Sequence, residues 1–79
     1  MQVKQAKQLA KAVEFALSNA AKHGGASTDR GLGMRYAAYD IANEIWYELI
    51  HPALNLRKTY PSKAEWMLAC GFGSLLIGE

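Results

Sequence analysis

The C-terminal stretch opens on Pro61, Ser62, Lys63, Ala64 and Glu65 and then runs uncharged from Trp66 to Ile77, reading W-M-L-A-C-G-F-G-S-L-L-I. A segment this apolar cannot face water along its whole length. At about 1.5 Å of rise per helical residue it covers roughly 18 Å, short of the ~30 Å hydrocarbon core of a bilayer, so no membrane span is expected. It must bury itself in protein, either within the rest of this fold or against a second copy. Ser62 and Glu65 form an S-x-x-E capping box, in which Ser62 accepts from the amide of Glu65 and Glu65 returns to the amide of Ser62, so a helix is predicted over about 62–77. Gly71 and Gly73 cost that helix about 1 kcal/mol each against alanine, and they can mark a close helix contact as readily as a break.

The N-terminal segment carries the clearest periodicity. Val3, Ala6, Ala10, Val13, Leu17 and Ala20 step by three and four, which predicts a helix over about 3–23 with Lys4, Lys7, Lys11, Glu14, Ser18 and Lys22 on the opposite face. Leu9, Ala12, Phe15 and Ala16 widen its apolar side, and Gly24 or Gly25 supplies the C-cap. Gly24 to Gly33 then reads as a loop in which Ser27, Thr28 or Asp29 serves as the next N-cap. A second helix is predicted over about 33–51, with Met34, Ala38, Ile41, Ile45 and Leu49 as its buried stripe and His51–Pro52 as its stop. Pro52 to Tyr60 reads as a connector offering Leu54 and Leu56 to the core.

Seventy-nine residues that are 51% hydrophobic make one domain with one core. The expectation is an all-α fold, a compact three-helix bundle over 1–79, with a homodimer formed through the C-terminal apolar segment. Two apolar helix faces can sandwich an apolar third, so Trp66 to Cys70 is expected to fill the monomer, and Phe72, Leu75, Leu76 and Ile77 to reach another chain. Cys70 is the only cysteine, which excludes an intrachain disulfide and fits a reducing, cytoplasmic compartment. Met1 to Lys11 carries three lysines and no continuous apolar stretch, and does not read as a signal peptide.

Chemistry-bearing motifs are sparse. Gly31-Leu32-Gly33 has no preceding strand and no following GK[ST], so it is not a phosphate loop. Neither His23 nor His51 has ligand partners at metal spacing. Glu48 and His51 make a single E-x-x-H, half of what a di-iron bundle uses twice with further glutamates, and His51 reads better as a helix-terminal residue favoured by the dipole. No catalytic residue, cofactor site or metal site is expected, and the chain reads as a non-enzyme.

The charges, net +2, are segregated. Asp40, Glu44 and Glu48 repeat every four residues along one edge of the second helix, with Tyr36, Asn43 and Tyr47 beside them. Tyrosine and tryptophan are common interface anchors; Trp46 and Trp66 serve either core or contact, and Tyr36, Tyr39 and Tyr47 are the better surface candidates. This acidic, aromatic edge (Tyr36, Asp40, Asn43, Glu44, Tyr47, Glu48) is expected to dock a protein partner. By analogy of size and style alone, the chain reads as a small accessory or inhibitor protein of a phage or mobile element that occludes a larger target. The alternative is a nucleic-acid-associated protein using Lys4, Lys7, Lys11, Arg57, Lys58 and Lys63, although these are few for a phosphate-binding surface. A helix-turn-helix reader is disfavoured because the second helix is acidic and the third apolar.

Overall fold

The computed structural model of the chain describes residues 1–73, and within them the fold is all-α. Helix α1 (Val3–Lys22) is followed by a short 3-10 turn (Gly25–Ser27) and by α2 (Asp29–Ile45). α2 runs without interruption into a π-helical turn (Trp46–Ile50). Two short helices complete the description, α3 (Leu54–Thr59) and α4 (Lys63–Ala69).

α1 forms where its three–four spacing places it, and Ala6, Ala10, Val13 and Ala20 are its buried residues. At its start Gln5 Oε1 accepts from the Gln2 amide at 2.8 Å. The α1–α2 turn is tied by one side chain: Thr28 Oγ1 donates to the His23 carbonyl and accepts from the Gly31 amide. With that cap in place α2 begins at Asp29, four residues before the expected 33, and takes Gly31 and Gly33 into the helix. Gly31 is buried, and a Cβ there would land on the backbone of Gly25. Its glycine therefore serves close approach at the mouth of the hairpin, and the apparent looseness of the GGASTDRGLG stretch misplaces the helix start.

The buried stripe of α2 also differs from the expected one. Ala38, Ala42, Trp46 and Ile50 are buried, whereas Ile41 and Leu49 are 56% and 40% exposed. A step of four advances about 400° on an α-helix and so drifts off any one face. The π turn, in which the His51 amide reaches the Trp46 carbonyl at 2.8 Å, widens the helix to roughly 4.4 residues per turn. There a step of four falls about 33° short of a full turn and so takes back the drift built up along α2, and Trp46 and Ile50 both stay on the core side.

The connector contains α3, held between Pro52 and Pro61, and only one of its two leucines plugs the core: Leu56 is buried and Leu54 exposed. The backbone restriction on a residue preceding proline ends α3 at Tyr60. α4 starts on the Ser62 cap as expected, with the Glu65 amide donating to Ser62 Oγ at 3.2 Å. It ends at Ala69 instead of continuing to 77. The Phe72 amide donates to the Met67 carbonyl and the Gly71 amide to the Leu68 carbonyl, both at 3.0 Å, with Gly71 at φ 95°. This is a Schellman closure, which glycine favours because its αL conformation meets no Cβ penalty.

α3 and α4 close one side of the α1–α2 hairpin. Trp66 is fully buried, donates from Nε1 to the Ala42 carbonyl at 2.9 Å, and meets the Tyr60 ring edge-on with centroids 5.1 Å apart. Phe72 is 1% exposed and stands T-shaped against Tyr39 at 5.4 Å. Phe72, expected at a self-association surface, thus completes the core of its own chain, because the turn at Gly71 folds it back over the hairpin. Leu75, Leu76 and Ile77 lie outside the described residues. Trp66, Met67 and Cys70 fill the core as expected, while Leu68 is 50% exposed, so α4 is amphipathic.

Cys70 is buried among these rings, and burial pushes its thiol up from the ordinary 9.0 to about 12, with the Glu14 carboxylate adding in the same direction. The unfolded thiol ionises first, so native stability is full below about pH 9 and falls as pH rises toward 12, by up to roughly 1.4 kcal/mol per pH unit. Tyr60, raised by burial and then by Cys70, acts in the same sense at still higher pH. Urea midpoints are expected to be flat at neutral pH and to drop above it, with a shallower drop in Cys70→Ala. The native thiol is expected to resist disulfide reagents until the chain is unfolded.

Candidate interaction surface

The edge of α2 singled out by sequence is exposed as a unit. Asp40, Glu44 and Glu48 face solvent, Tyr36 and Tyr47 are 59% and 54% exposed, and Asn43 is half-buried beside them. Trp46 and Trp66, open between core and contact on sequence, are both core, and Tyr39, expected at the surface, is half-buried against Phe72 because the Gly71 turn folds that ring over it. The large aromatic surface not consumed by the fold therefore comes down to Tyr36, Tyr47 and Phe15, the last 73% exposed on α1.

The basic residues do not form one patch. Lys4, Lys7 and Lys11 are exposed along α1. Arg57 and Lys58 are exposed on α3, whose Asn55 Nδ2 donates to the Met1 carbonyl at 3.2 Å, so they lie toward the N-terminal end of α1. Lys63 is set apart from them at the start of α4, with Nζ 5.0 Å from the centre of the Tyr47 ring and 5.9 Å from that of Tyr39. That cation–π pairing joins one residue of the basic set to the tyrosine edge of α2 and pins α4 against it.

Sequence reasoning missed a second surface. On the side of the hairpin away from α4, Leu9, Ala12, Val13 and Ala16 of α1 and Ala38, Ile41 and Ile45 of α2 line an open groove of about 160 Å³. That is below the roughly 300–1,000 Å³ of drug-sized ligand pockets, and an almost wholly apolar lining offers no orienting polar groups. The groove fits side chains of another protein surface. The signal lay in the sequence as two stripes on one helix: Ala38–Ala42–Trp46–Ile50 and Ile41–Ile45 together are wider than one core contact, and Ile45 sits at the boundary, packed against the core, while Ile41 is exposed.

Among the described residues, no three His, Cys, Asp or Glu side chains converge to hold a metal ion, and no helix is long and apolar enough to cross a membrane. Comparison with protein-family models, curated proteins and solved structures returns no match.

Proposed function

We propose that this chain is a small non-enzymatic protein-interaction module that occludes a surface on a larger macromolecular target through the edge of α2 carrying Tyr36, Asp40, Asn43, Glu44, Tyr47 and Glu48. The observation that supports it is that Tyr36 and Tyr47 stay more than half exposed beside three carboxylates, while the other ring-bearing residues of α2 to α4 pack into or against the core. Tyrosine offers a large, stiff contact area with a polar tip, and the acidic row favours a partner with a basic face. An accessory or inhibitor protein of a phage or mobile element, working in a reducing cytoplasm, is the setting proposed for it.

Capture from host lysate on three immobilised forms, together with binding of a labelled DNA duplex, tests this reading. Tyr36→Ala with Tyr47→Ala is expected to lose the captured protein, and charge reversal at Lys7, Arg57 and Lys58 to keep it. The opposite pattern, with duplex binding that falls steeply as salt rises, would establish the nucleic-acid alternative instead.

A further inference from the structure

The α1–α2 hairpin has two sides, and among the described residues only one is covered. α4 and the Phe72 turn close the side carrying Leu17, Tyr39 and the Ala42 carbonyl. The other side is the groove between Leu9, Ala12 and Ala16 of α1 and Ile41 and Ile45 of α2, with Ile41 56% exposed. An apolar seam of this kind along two antiparallel helices is half of a four-helix arrangement.

The two outer edges of the hairpin carry opposite charge. At about 100° per residue, Lys4, Lys11 and the exposed Phe15 project from α1 away from α2, while Asp40 and Glu44 project from α2 away from α1. We propose that a second copy of this chain seats on the open face, related by a two-fold axis parallel to the helices, so that α1 of each copy lies over α2 of the other. A two-fold across the helices would stack α1 on α1 and α2 on α2, setting lysines against lysines and carboxylates against carboxylates. The parallel axis sets each basic edge over an acidic one, and the contact is self-complementary as an isologous interface requires.

The register agrees with this arrangement. The antiparallel run of the hairpin puts the Leu9 end of the groove level with Ile45 and the Ala16 end level with Ala38. A parallel axis preserves those levels, which puts Lys4 level with the partner's Glu48 and Lys11 level with the partner's Glu44, Lys11 reaching from the flank of α1 that it shares with Tyr60 and Ala69. Phe15 falls over the partner's Ile41, which gives a buried place to the most exposed large apolar side chain among the described residues. Ala12 and Ala16 keep the seam shallow enough for helix axes to approach to about 8–10 Å. Tyr36 and Tyr47 lie outside this contact, whereas Glu44 and Glu48 belong to both surfaces, so a second copy and a basic partner compete for those two carboxylates.

Sedimentation equilibrium of the whole chain from micromolar to millimolar concentration tests it, with helicity followed by circular dichroism. The wild type is expected to approach twice its 8.7 kDa mass. Ala12→Glu, at an exposed position of the groove, is expected to leave a folded monomer. Lys4→Glu with Lys11→Glu, and separately Glu44→Lys with Glu48→Lys, are expected to weaken association by about tenfold, since four symmetry-related pairs turn repulsive. All four changes together are expected to restore it. A monomer at every concentration would overturn the proposal, including one whose groove is filled by its own residues 74–79. So would a dimer indifferent to Ala12→Glu, or a four-fold charge swap that fails to restore association.

Discussion

Trp66→Ala is expected to leave the chain largely unfolded at room temperature. Trp66 is the largest of the fully buried side chains and joins three elements: it is in α4, meets Tyr60 after α3, and donates to the Ala42 carbonyl in α2. Removing a buried tryptophan costs about 3–5 kcal/mol through lost transfer energy and an unfilled cavity. A domain of this size has about 5 kcal/mol or little more to lose. Trp66→Phe separates packing from the hydrogen bond. The Ala42 carbonyl still accepts from the Trp46 amide, so no buried acceptor is orphaned, and a loss of only about 1–2 kcal/mol is expected. Urea unfolding followed by far-ultraviolet circular dichroism measures both. A folded, cooperatively melting Trp66→Ala would mean that α4 is dispensable to the hairpin.

Gly31 and Gly33, two residues apart, are expected to respond to alanine with opposite sign. Both lie in the first turns of α2. A Cβ at Gly31 meets the backbone of Gly25, which cannot swing aside as a side chain would, whereas one at Gly33 meets nothing within 4 Å. Gly31→Ala is therefore expected to destabilise by about 1–3 kcal/mol through forced separation of the hairpin mouth. Gly33→Ala is expected to stabilise by about 0.5–1 kcal/mol, because alanine loses less backbone freedom in a helix. Thermal midpoints of the two variants, measured side by side, check the pair, and equal shifts would contradict the helix start at Asp29.

These two cases show how far the sequence carried the fold. α1 was legible because small and apolar residues repeat without interruption over five turns, and α4's start because Ser62 and Glu65 stand at capping distance. The start of α2 was obscured by Gly31 and Gly33, since composition cannot distinguish a glycine that loosens a chain from one that lets two backbones touch. Its buried stripe was legible in part: Ala38 is buried and Ile45 packs against the core, whereas Ile41 is exposed, and the π turn after Ile45 brings Ile50 to the core face in place of Leu49. α3 is too short, between two prolines, to show a period. The end of α4 turned on one αL residue, and an uncharged run of twelve concealed that Leu68 faces outward.

The same displacement governs the surfaces. The exposed tyrosines and carboxylates of α2 were readable from their four-residue spacing, which does not depend on the exact core stripe. The groove was not, because Ile41 fits the core stripe of an ideal α-helix. With Ala42 and Trp46 in the core, Ile41 is left on an open face beside the half-buried Ile45, flanked by edges of opposite charge.

The hairpin has one side closed within the chain, and the proposed dimer closes the other with a second copy. Ile50 and Ile41 report on the two, and the accessibility of their methyl groups to a soluble paramagnetic agent, followed by nuclear magnetic resonance across a dilution series, measures both at once. Ile50 is expected to be shielded at every concentration, and Ile41 to be accessible when dilute and shielded when concentrated. An Ile41 whose accessibility never changes with concentration, or an Ile50 reached by the agent in the folded chain, would contradict it.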